Sequence, residues 1–141
     1  MPETSLPVEH LFSMSIDIGG RSVIRRGPAA RVVVYVTGGQ FSGPRLRGKI
    51  VPNSGADWVT QREDGSYRLD VRLTLETDDS AAIFMAYAGV GAPVDGKNVI
   101  RSAPLFETGD ERYAWLNRVQ AIALGTSTAE SVSYEVYGLS V

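Results

Sequence analysis

The stretch YRLDVRLTLET, which runs from Tyr67 to Thr77, decides the fold. Apolar and polar residues alternate along it, so every second side chain belongs to the same face. One face holds Tyr67, Leu69, Val71, Leu73 and Leu75, and the other holds Arg68, Asp70, Arg72, Thr74 and Glu76. A period of two over eleven positions is that of a β-strand and is inconsistent with a helix.

The rest of the chain shows more segments of this kind. The predicted long strands are 11–18, 31–37, 67–77, 82–89, 113–125 and 131–141, and shorter ones are predicted at 48–51 and 57–61. Asp64-Gly65 is the clearest hairpin signal, because a type I′ turn favours that dipeptide. Residues 92–98 are the segment predicted to form a long loop. About eight to ten short strands joined by tight turns predict an all-β fold with little helix, either a sandwich or a closed antiparallel barrel.

Length and composition indicate one globular domain. The 141 residues have a mass of 15.2 kDa, with 43% hydrophobic and 21% charged residues, and no repeat or linker divides residues 1–141. No apolar run approaches the ~20 residues of a membrane helix, and the N-terminus lacks a secretion signal, so we expect a cytoplasmic protein outside the membrane. A formal charge of −2 without long like-charge blocks gives no indication of nucleic-acid binding.

The residue types that are missing exclude much familiar chemistry. The chain has no cysteine, which removes disulfide scaffolds, thiolate nucleophiles and cysteine-based zinc or iron–sulfur sites. His10 is the single histidine, so a motif that needs two imidazoles, such as H-E-x-x-H, is impossible within one chain. Phosphate-loop, G-x-G-x-x-G and G-x-S-x-G motifs are missing as well. We therefore expect neither a metal ion nor a cofactor.

Asp57 and Trp58 are the first candidates for a functional site. They follow a glycine-containing turn. Burial of a carboxylate beside a large aromatic ring would raise the pKa of the carboxylate and suit it to proton transfer. The structural alternative is that Asp57 caps a turn and Trp58 fills the core.

Asp70 and Arg72 are a second pair of candidates, on the polar face of the strand quoted above. If that face lines the interior of a barrel, Arg72 can hold an anionic or carbonyl oxygen while Asp70 orients it or acts as a base. If the face meets solvent, the pair is a surface contact worth about 0–1 kcal/mol. Periodicity does not choose between these two orientations.

Aromatic and polar residues further along the chain are candidates for substrate binding. Tyr113, Trp115 and Asn117 lie on one side if their segment is extended, and Glu107 precedes them. Apolar walls with a few orienting polar groups are typical of small-molecule pockets, although tyrosine and tryptophan are also enriched in dimer interfaces. Tyr87 ends its strand at a similar level and can donate a phenolic proton; its structural alternative is a partly buried tyrosine whose hydroxyl reaches solvent.

Three blocks of the sequence resemble one family. They are TGGQFSGPRLRGKIVPNSGADW at 37–58, REDGSYRLDVRLTLETDDSAAIFMAY at 62–87 and PLFETGDERYAWLN at 104–117, followed by a closing strand that ends in Val136-Tyr137. In this combination the chain resembles the DUF3237, or UPF0311, proteins of bacteria and fungi. The resemblance covers nearly the whole chain and implies an all-β domain, a lipocalin-like or allene-oxide-cyclase-like barrel, often dimeric, in a family without one established activity. Ser80 stands where glycine is usual in the family.

Three functions are compatible with these residues. The first is an enzyme without a cofactor that isomerises, cyclises or eliminates next to a carbonyl of a small apolar molecule. Asp57 or Asp70 is then the base. Arg72 stabilises the developing oxyanion, and Tyr87 or Tyr113 returns a proton. The second is a non-catalytic ligand carrier, and the third is a structural dimer whose barrel is filled by its own side chains. We expect the protein to bind a small-molecule ligand and to form a homodimer.

Overall fold

The computed structural model of the protein describes Pro2 and residues 4–140, and it consists almost entirely of strands. The elements are β1 (Val8–Arg25), β2 (Arg31–Ser42), β3 (Arg47–Ile50), β4 (Gly55–Gln61), β5 (Tyr67–Thr77), β6 (Ala82–Val94), β7 (Lys97–Ser102), β8 (Leu105–Glu107), a 3₁₀ helix (Glu111–Arg118), β9 (Ala121–Ser127) and β10 (Ser131–Leu139). The last residue of the strand predicted at 131–141 lies outside the described residues.

Eight strands close into an antiparallel ring. Their order around the ring is β1, β2, β4, β5, β6, β7, β9 and β10, and β10 pairs with β1 to complete it. The short strand β3 pairs with β2 and β5, and β8 pairs with β6. The all-β antiparallel barrel predicted from the sequence is confirmed.

The two ends of the barrel are filled differently. At the end where β3, β8 and the 3₁₀ helix lie, inward side chains occupy the interior, and we call this the packed half. Phe12 is at its centre, with ring centroids 5.4 Å from Phe41 and 6.0 Å from Phe106. Leu75, Val136 and other side chains there have no more than 3% of their surface exposed. At the opposite end, beside the β9–β10 turn, the side chains leave a cavity, and we call this the open half.

The prediction of a long loop at 92–98 is wrong. β6 continues to Val94 and pairs with β7 through a two-residue turn of Asp95 and Gly96. Their φ values are 49° and 78°, the positive pair that a type I′ turn requires. Asp95-Gly96 is thus the same hairpin signal as Asp64-Gly65. At the latter only Gly65 has a positive φ, 88°, and its N–H donates to the Arg62 carbonyl at 3.2 Å, so that hairpin is confirmed but its turn is not type I′.

The long strand predicted at 113–125 is also wrong, because its first half is the 3₁₀ helix. Asp110 caps that helix by accepting a hydrogen bond from the Arg112 backbone N–H at 2.9 Å. An aspartate followed by Glu111 at the first helical position is a recognisable helix start. The strand β9 begins only at Ala121. Within the described part of the chain, no helix has the length and apolar character needed to cross a bilayer.

Candidate functional site

The open half encloses a cavity of about 330 Å³. Aliphatic side chains form most of its wall, among them Val32, Val34, Val59, Leu69, Val71 and Ile100. A smaller number of polar side chains also line it: Arg21, Asp57, Gln61, Tyr67, Tyr87, Asn98, Ser127, Thr128 and Tyr134. An apolar wall that carries a few polar groups is the composition of a small-molecule site.

One row of cross-strand pairs places three of these polar groups on the wall. Arg21 pairs with Val34, Val34 with Asp57, Asp57 with Val71, and Val71 with Tyr87, across β1, β2, β4, β5 and β6. Residues that are directly opposite on neighbouring strands point to the same face of a sheet, and all five line the cavity. The row therefore alternates polar groups with valines around one side of the interior.

Asp57 is a carboxylate in an unfavourable place for a charge. Burial raises the pKa of Asp57 to about 6, and the negative charge of Asp70 adds to the rise. The backbone N–H of Asp70 donates to Asp57 Oδ1 at 3.0 Å and acts in the opposite direction. A pKa close to neutrality lets one carboxyl group both accept and return a proton.

Tyr87 and Tyr134 form a buried pair beside this carboxylate. Their ring centroids lie 5.4 Å apart in an edge-to-face arrangement, and both side chains are at most 5% exposed. Burial raises the pKa of both hydroxyls well above the usual value, and the negative charge of Asp57 adds to this. Both phenols therefore stay neutral near pH 7, and their hydroxyls, which hydrogen-bond with each other, can turn to donate to an oxygen of a bound molecule.

A second row of pairs explains where the tyrosine rings lie. Tyr134 pairs with Gly125, Gly125 with Ile100, Ile100 with Gly91, and Gly91 with Tyr67. A Cβ added at Gly125 would lie 2.6 Å from the Tyr134 ring, and one at Gly91 would lie 2.1 Å from the Tyr67 ring. Each ring thus rests on a strand glycine, which holds it against the wall.

Tyr67 stands near the mouth of the cavity with two polar neighbours. Asn98 Nδ2 donates to Ser127 Oγ at 2.5 Å. Burial raises the pKa of the Tyr67 hydroxyl, and the adjoining Asn98 and Ser127 side chains oppose that rise. These groups give the mouth a set of hydrogen-bond donors and acceptors.

The structure brings together two of the four predicted catalytic residues, Asp57 and Tyr87. It places Trp58 elsewhere: this side chain is 37% exposed on the outer surface and does not line the cavity. Consecutive residues of a strand point to opposite faces, so a carboxylate on the inner wall puts the next side chain outside. The prediction that Trp58 lines the substrate site is therefore wrong.

Asp70 and Arg72 lie on the outer face of β5. Both are exposed, whereas Leu69, Val71 and Leu73 between and beside them are buried toward the interior. The sequence left two orientations open for this pair. The structure excludes the one toward the interior, because the apolar face of β5 fills the barrel. Neither side chain lines the cavity.

The predicted substrate-binding residues near the C-terminus close the packed half instead of lining the cavity. The Tyr113 hydroxyl donates to Asp79 at 2.8 Å, and the Arg45 guanidinium lies 3.6 Å above the Trp115 ring. Asn117 joins the helix to β8, since its Oδ1 accepts from the Thr108 N–H at 2.8 Å and its Nδ2 donates to the Thr108 carbonyl at 2.9 Å. Glu107 is exposed on β8. The prediction failed for Tyr113, Trp115 and Asn117 because they are helical, not extended, and for Glu107 because it is exposed on its strand.

His10 lies on the outer surface. Its Nε2 is 2.8 Å from Glu135 Oε1, and the Ser13 hydroxyl donates to the same oxygen at 2.5 Å. Serine and histidine both contact the carboxylate and not each other, so these side chains do not form a catalytic triad. Among Pro2 and residues 4–140, no three acidic or histidine side chains come together as a possible metal site.

Sequence reasoning missed most polar residues of the cavity, among them Arg21, Tyr67 and Tyr134. Tyr67 and Tyr134 occupy apolar positions of alternating strands, and the glycines that hold them, Gly91 and Gly125, were a readable sign of close packing. Arg21 follows Gly19-Gly20, a pair that is typical of a turn.

Comparison with known proteins agrees with this fold. The profile of the family described as "Protein of unknown function (DUF3237)" matches residues 6–139. The chain belongs to the DUF3237 family. Among its DUF3237 relatives, a UPF0311 protein of Rhodopseudomonas palustris strain TIE-1 is 29% identical over 148 residues, which cover 94% of this chain and 96% of the relative.

A relative of this DUF3237 protein carries the name of an enzyme. The hydroalkoxylation enzyme phnH of Penicillium herquei is 30% identical over 115 residues, which cover 81% of this chain and 70% of the relative. Among solved structures, a β-barrel-like protein of Acinetobacter baumannii has a TM-score of 0.88 at 28% identity and 98% coverage of both chains. An enzyme from Penicillium herquei has a TM-score of 0.77 at 26% identity, with 99% of this chain and 98% of the other covered.

Proposed function

We propose that this protein is an acid–base enzyme that closes a ring in a small, largely apolar molecule by adding a hydroxyl group across a C=C bond next to a carbonyl. The observation that carries the proposal is Asp57, a half-buried carboxyl group with a pKa of about 6 on the wall of an apolar cavity. The name of the Penicillium herquei relative supports the reaction class, because hydroalkoxylation is the addition of O–H across a double bond.

The proposed reaction needs only proton transfer. The Asp57 carboxylate removes the proton of the substrate hydroxyl, whose oxygen attacks the β-carbon of the unsaturated carbonyl. The C=C electrons move onto the carbonyl oxygen, and the neutral hydroxyls of Tyr87 and Tyr134 donate hydrogen bonds to the negative charge that develops there. Protonated Asp57 then returns its proton to the α-carbon. All atoms of the substrate are retained, and the reverse direction is an elimination.

Asp57 also sets the expected pH dependence of this reaction. The first step requires the carboxylate form, so kcat/KM should increase with pH through about 6 and level off above it. Burial of Tyr87 and Tyr134 keeps their hydroxyls protonated above that range. We therefore expect a profile with one acid limb near the pKa of Asp57.

The test uses a panel of hydroxy-substituted enones, from short hydroxyalkyl enones to 2′-hydroxychalcone, with ring closure followed by chromatography on a chiral column. We expect the wild-type protein to accelerate closure of at least one member and to form one enantiomer in excess. Asp57→Asn should lower kcat about 100-fold or more, the usual loss for a general base. Tyr87→Phe and Tyr134→Phe should each cost about 10- to 100-fold as lost oxyanion donors.

Asp70→Asn is the matched control, because it changes an aspartate on the neighbouring strand that does not line the cavity. It should retain ring closure. Equal rates for wild type and Asp57→Asn would remove Asp57 from the mechanism. If members of the panel bind in the cavity but all are recovered unchanged, that result would favour the carrier function.

The homodimer expected from the sequence stays a prediction. Light scattering coupled to size-exclusion chromatography would test it, and a mass near 15.2 kDa would contradict it.

A further inference from the structure

A β-bulge in β1 turns Arg21 into the cavity wall. Ile18 pairs with Val36 and Arg21 pairs with Val34, so three residue steps on β1 correspond to two on β2. In a regular strand Gly20 would follow Ile18 on the inner face, whereas the extra residue moves that place to Arg21. The bulge at Gly19-Gly20 therefore places the charged side chain of Arg21 at an inner position that regular alternation would give to Gly20.

The neighbours of Arg21 confirm this orientation. Val34, its partner on β2, lines the cavity, as does Arg21 itself. The next residue, Ser22, points the other way, since its hydroxyl lies 2.9 Å from the hydroxyl of Tyr35 on the outer surface. Arg21 and Ser22 thus point to opposite faces, as consecutive residues of a strand do, and the shift in alternation lies before them, between Ile18 and Arg21.

Arg21 is a cation without an ionic partner in the described chain. The salt bridges found among Pro2 and residues 4–140 involve other arginines, Lys49 and His10. Asp57 is the other charged residue in the lining, and no ion pair joins the two. Arg21 is exposed, so it lies at the mouth of the cavity, with five N–H donors beside apolar walls.

The spacing of Arg21 and Asp57 suits one ligand that contacts both. They flank Val34 on the strands to either side of it, which separates their backbones by two strand spacings, about 10 Å. A molecule of two fused rings can extend from the mouth to the carboxyl group over that distance. Its mouth end then meets a guanidinium, and the remainder meets aliphatic side chains.

We propose that Arg21 determines substrate specificity by binding an anionic oxygen, a carboxylate or phenolate, at the mouth of the cavity. The substrate is accordingly a small apolar acid, held by its charged end and inserted with its apolar end. Guanidinium groups recognise such oxygens through two parallel hydrogen bonds. This inference rests on the proposed function for the site but is measured through binding alone.

The experiment compares two probes of nearly equal shape, 2-naphthoate and 2-naphthamide, by isothermal titration calorimetry at pH 7.5. The wild-type protein should bind the anion about tenfold more tightly than the amide, which corresponds to about 1.4 kcal/mol. Arg21→Gln should abolish that preference without weakening amide binding. Arg21→Lys should keep part of the preference, because it retains the charge and loses the paired donors.

Two controls separate contact from general charge. The double variant Arg21→Ser/Ser22→Arg keeps the net charge and moves the guanidinium one residue onward, to the outer face; it should behave like Arg21→Gln. Arg25 lies on the same strand but does not line the cavity, and its guanidinium donates to the Ala29 carbonyl at 2.8 Å. Arg25→Gln therefore removes a positive charge from outside the cavity. It should bind both probes as the wild type does.

Several results would overturn the inference. They are equal binding of the two probes by the wild type, no binding of either, or a preference that survives in the double variant. The proposed function fails separately, if Asp57→Asn closes rings at the wild-type rate while the anion preference still depends on Arg21.

Discussion

The packed half and the open half of this barrel use the same strands for different purposes. On β5, Leu75 and Leu69 both point inward, but Leu75 is fully buried in the packed half, whereas Leu69 lines the cavity. In the packed half, apolar side chains meet one another on all sides. In the open half, the wall leaves a cavity and carries the half-buried carboxyl group of Asp57. The difference indicates that stability is concentrated in the packed half, and it is the reason for assigning the proposed reaction to the open half.

The largest effect should come from truncating the packed half. Leu75→Ala should lower the free energy of unfolding by about 3–5 kcal/mol, because the side chain is lost from a fully packed place and leaves a void. Leu69→Ala should cost about 1–3 kcal/mol, since one side of Leu69 already faces a cavity and makes fewer contacts. Urea unfolding followed by circular dichroism measures both. Equal losses at the two positions would contradict the division into halves.

The next effect should be a gain of stability from Asp57→Asn. In the unfolded chain Asp57 titrates near 3.8, and in the folded protein near 6. Between these values the folded state binds the extra proton, so the stability of the wild type falls as pH rises through this window and then stays level. The loss is at most about 3 kcal/mol, from about two pH units at 1.36 kcal/mol each. The Asp57→Asn variant does not lose stability in this way, because asparagine does not titrate.

Asp57→Asn should therefore be more stable than wild type at pH 8, and the two proteins should be nearly equal at pH 3.5. Urea titrations at several pH values give this difference directly. A variant that is less stable at pH 8 would show that the Asp57 carboxylate is not strained by burial, and the proposed pKa would lose its basis.

A smaller effect is expected where a glycine supports a tyrosine of the open half. Gly125→Ala places a methyl group 2.6 Å from the Tyr134 ring, which must shift. We expect a loss of about 1–3 kcal/mol of stability, as for overpacking elsewhere, together with slower ring closure because a hydrogen-bond donor is displaced.

Gly20→Ala is the matched control for that substitution, because a Cβ at Gly20 would meet no atom within 4 Å. It should change stability by less than about 0.5 kcal/mol. Thermal unfolding and initial rates measure the two variants side by side. An unchanged rate of ring closure in Gly125→Ala would mean that the reaction does not depend on the position of the Tyr134 hydroxyl.

Much of the barrel was predictable because its strands obey a simple period. The alternation from Tyr67 to Thr77 predicted both β5 and its apolar face, and the antiparallel all-β fold followed from the number of such segments. The 3₁₀ helix was missed because residues 113–125 also contain alternating apolar residues. Only the Asp110 cap distinguishes it.

The site was harder to predict, because it depends on which face each strand turns inward. Asp57 was found by its chemistry, yet the reason given, a neighbouring Trp58, was wrong, since adjacent strand residues diverge. Arg21 lies on the inner wall only because a bulge shifts the alternation of β1. A local insertion of this kind becomes visible only when both partner strands are aligned.

The smallest expected effect concerns Asp70, which touches the open half from outside. Its backbone N–H, which donates to Asp57 Oδ1, is retained in Asp70→Asn, but the negative charge that helps to raise the pKa of Asp57 is removed. The acid limb of the pH–rate profile should therefore move slightly downward, with the maximal rate unchanged. Arg72→Gln, on the same outer face, should leave the limb in place. Loss of turnover in Asp70→Asn would instead make Asp70 the base and place the reaction outside the barrel.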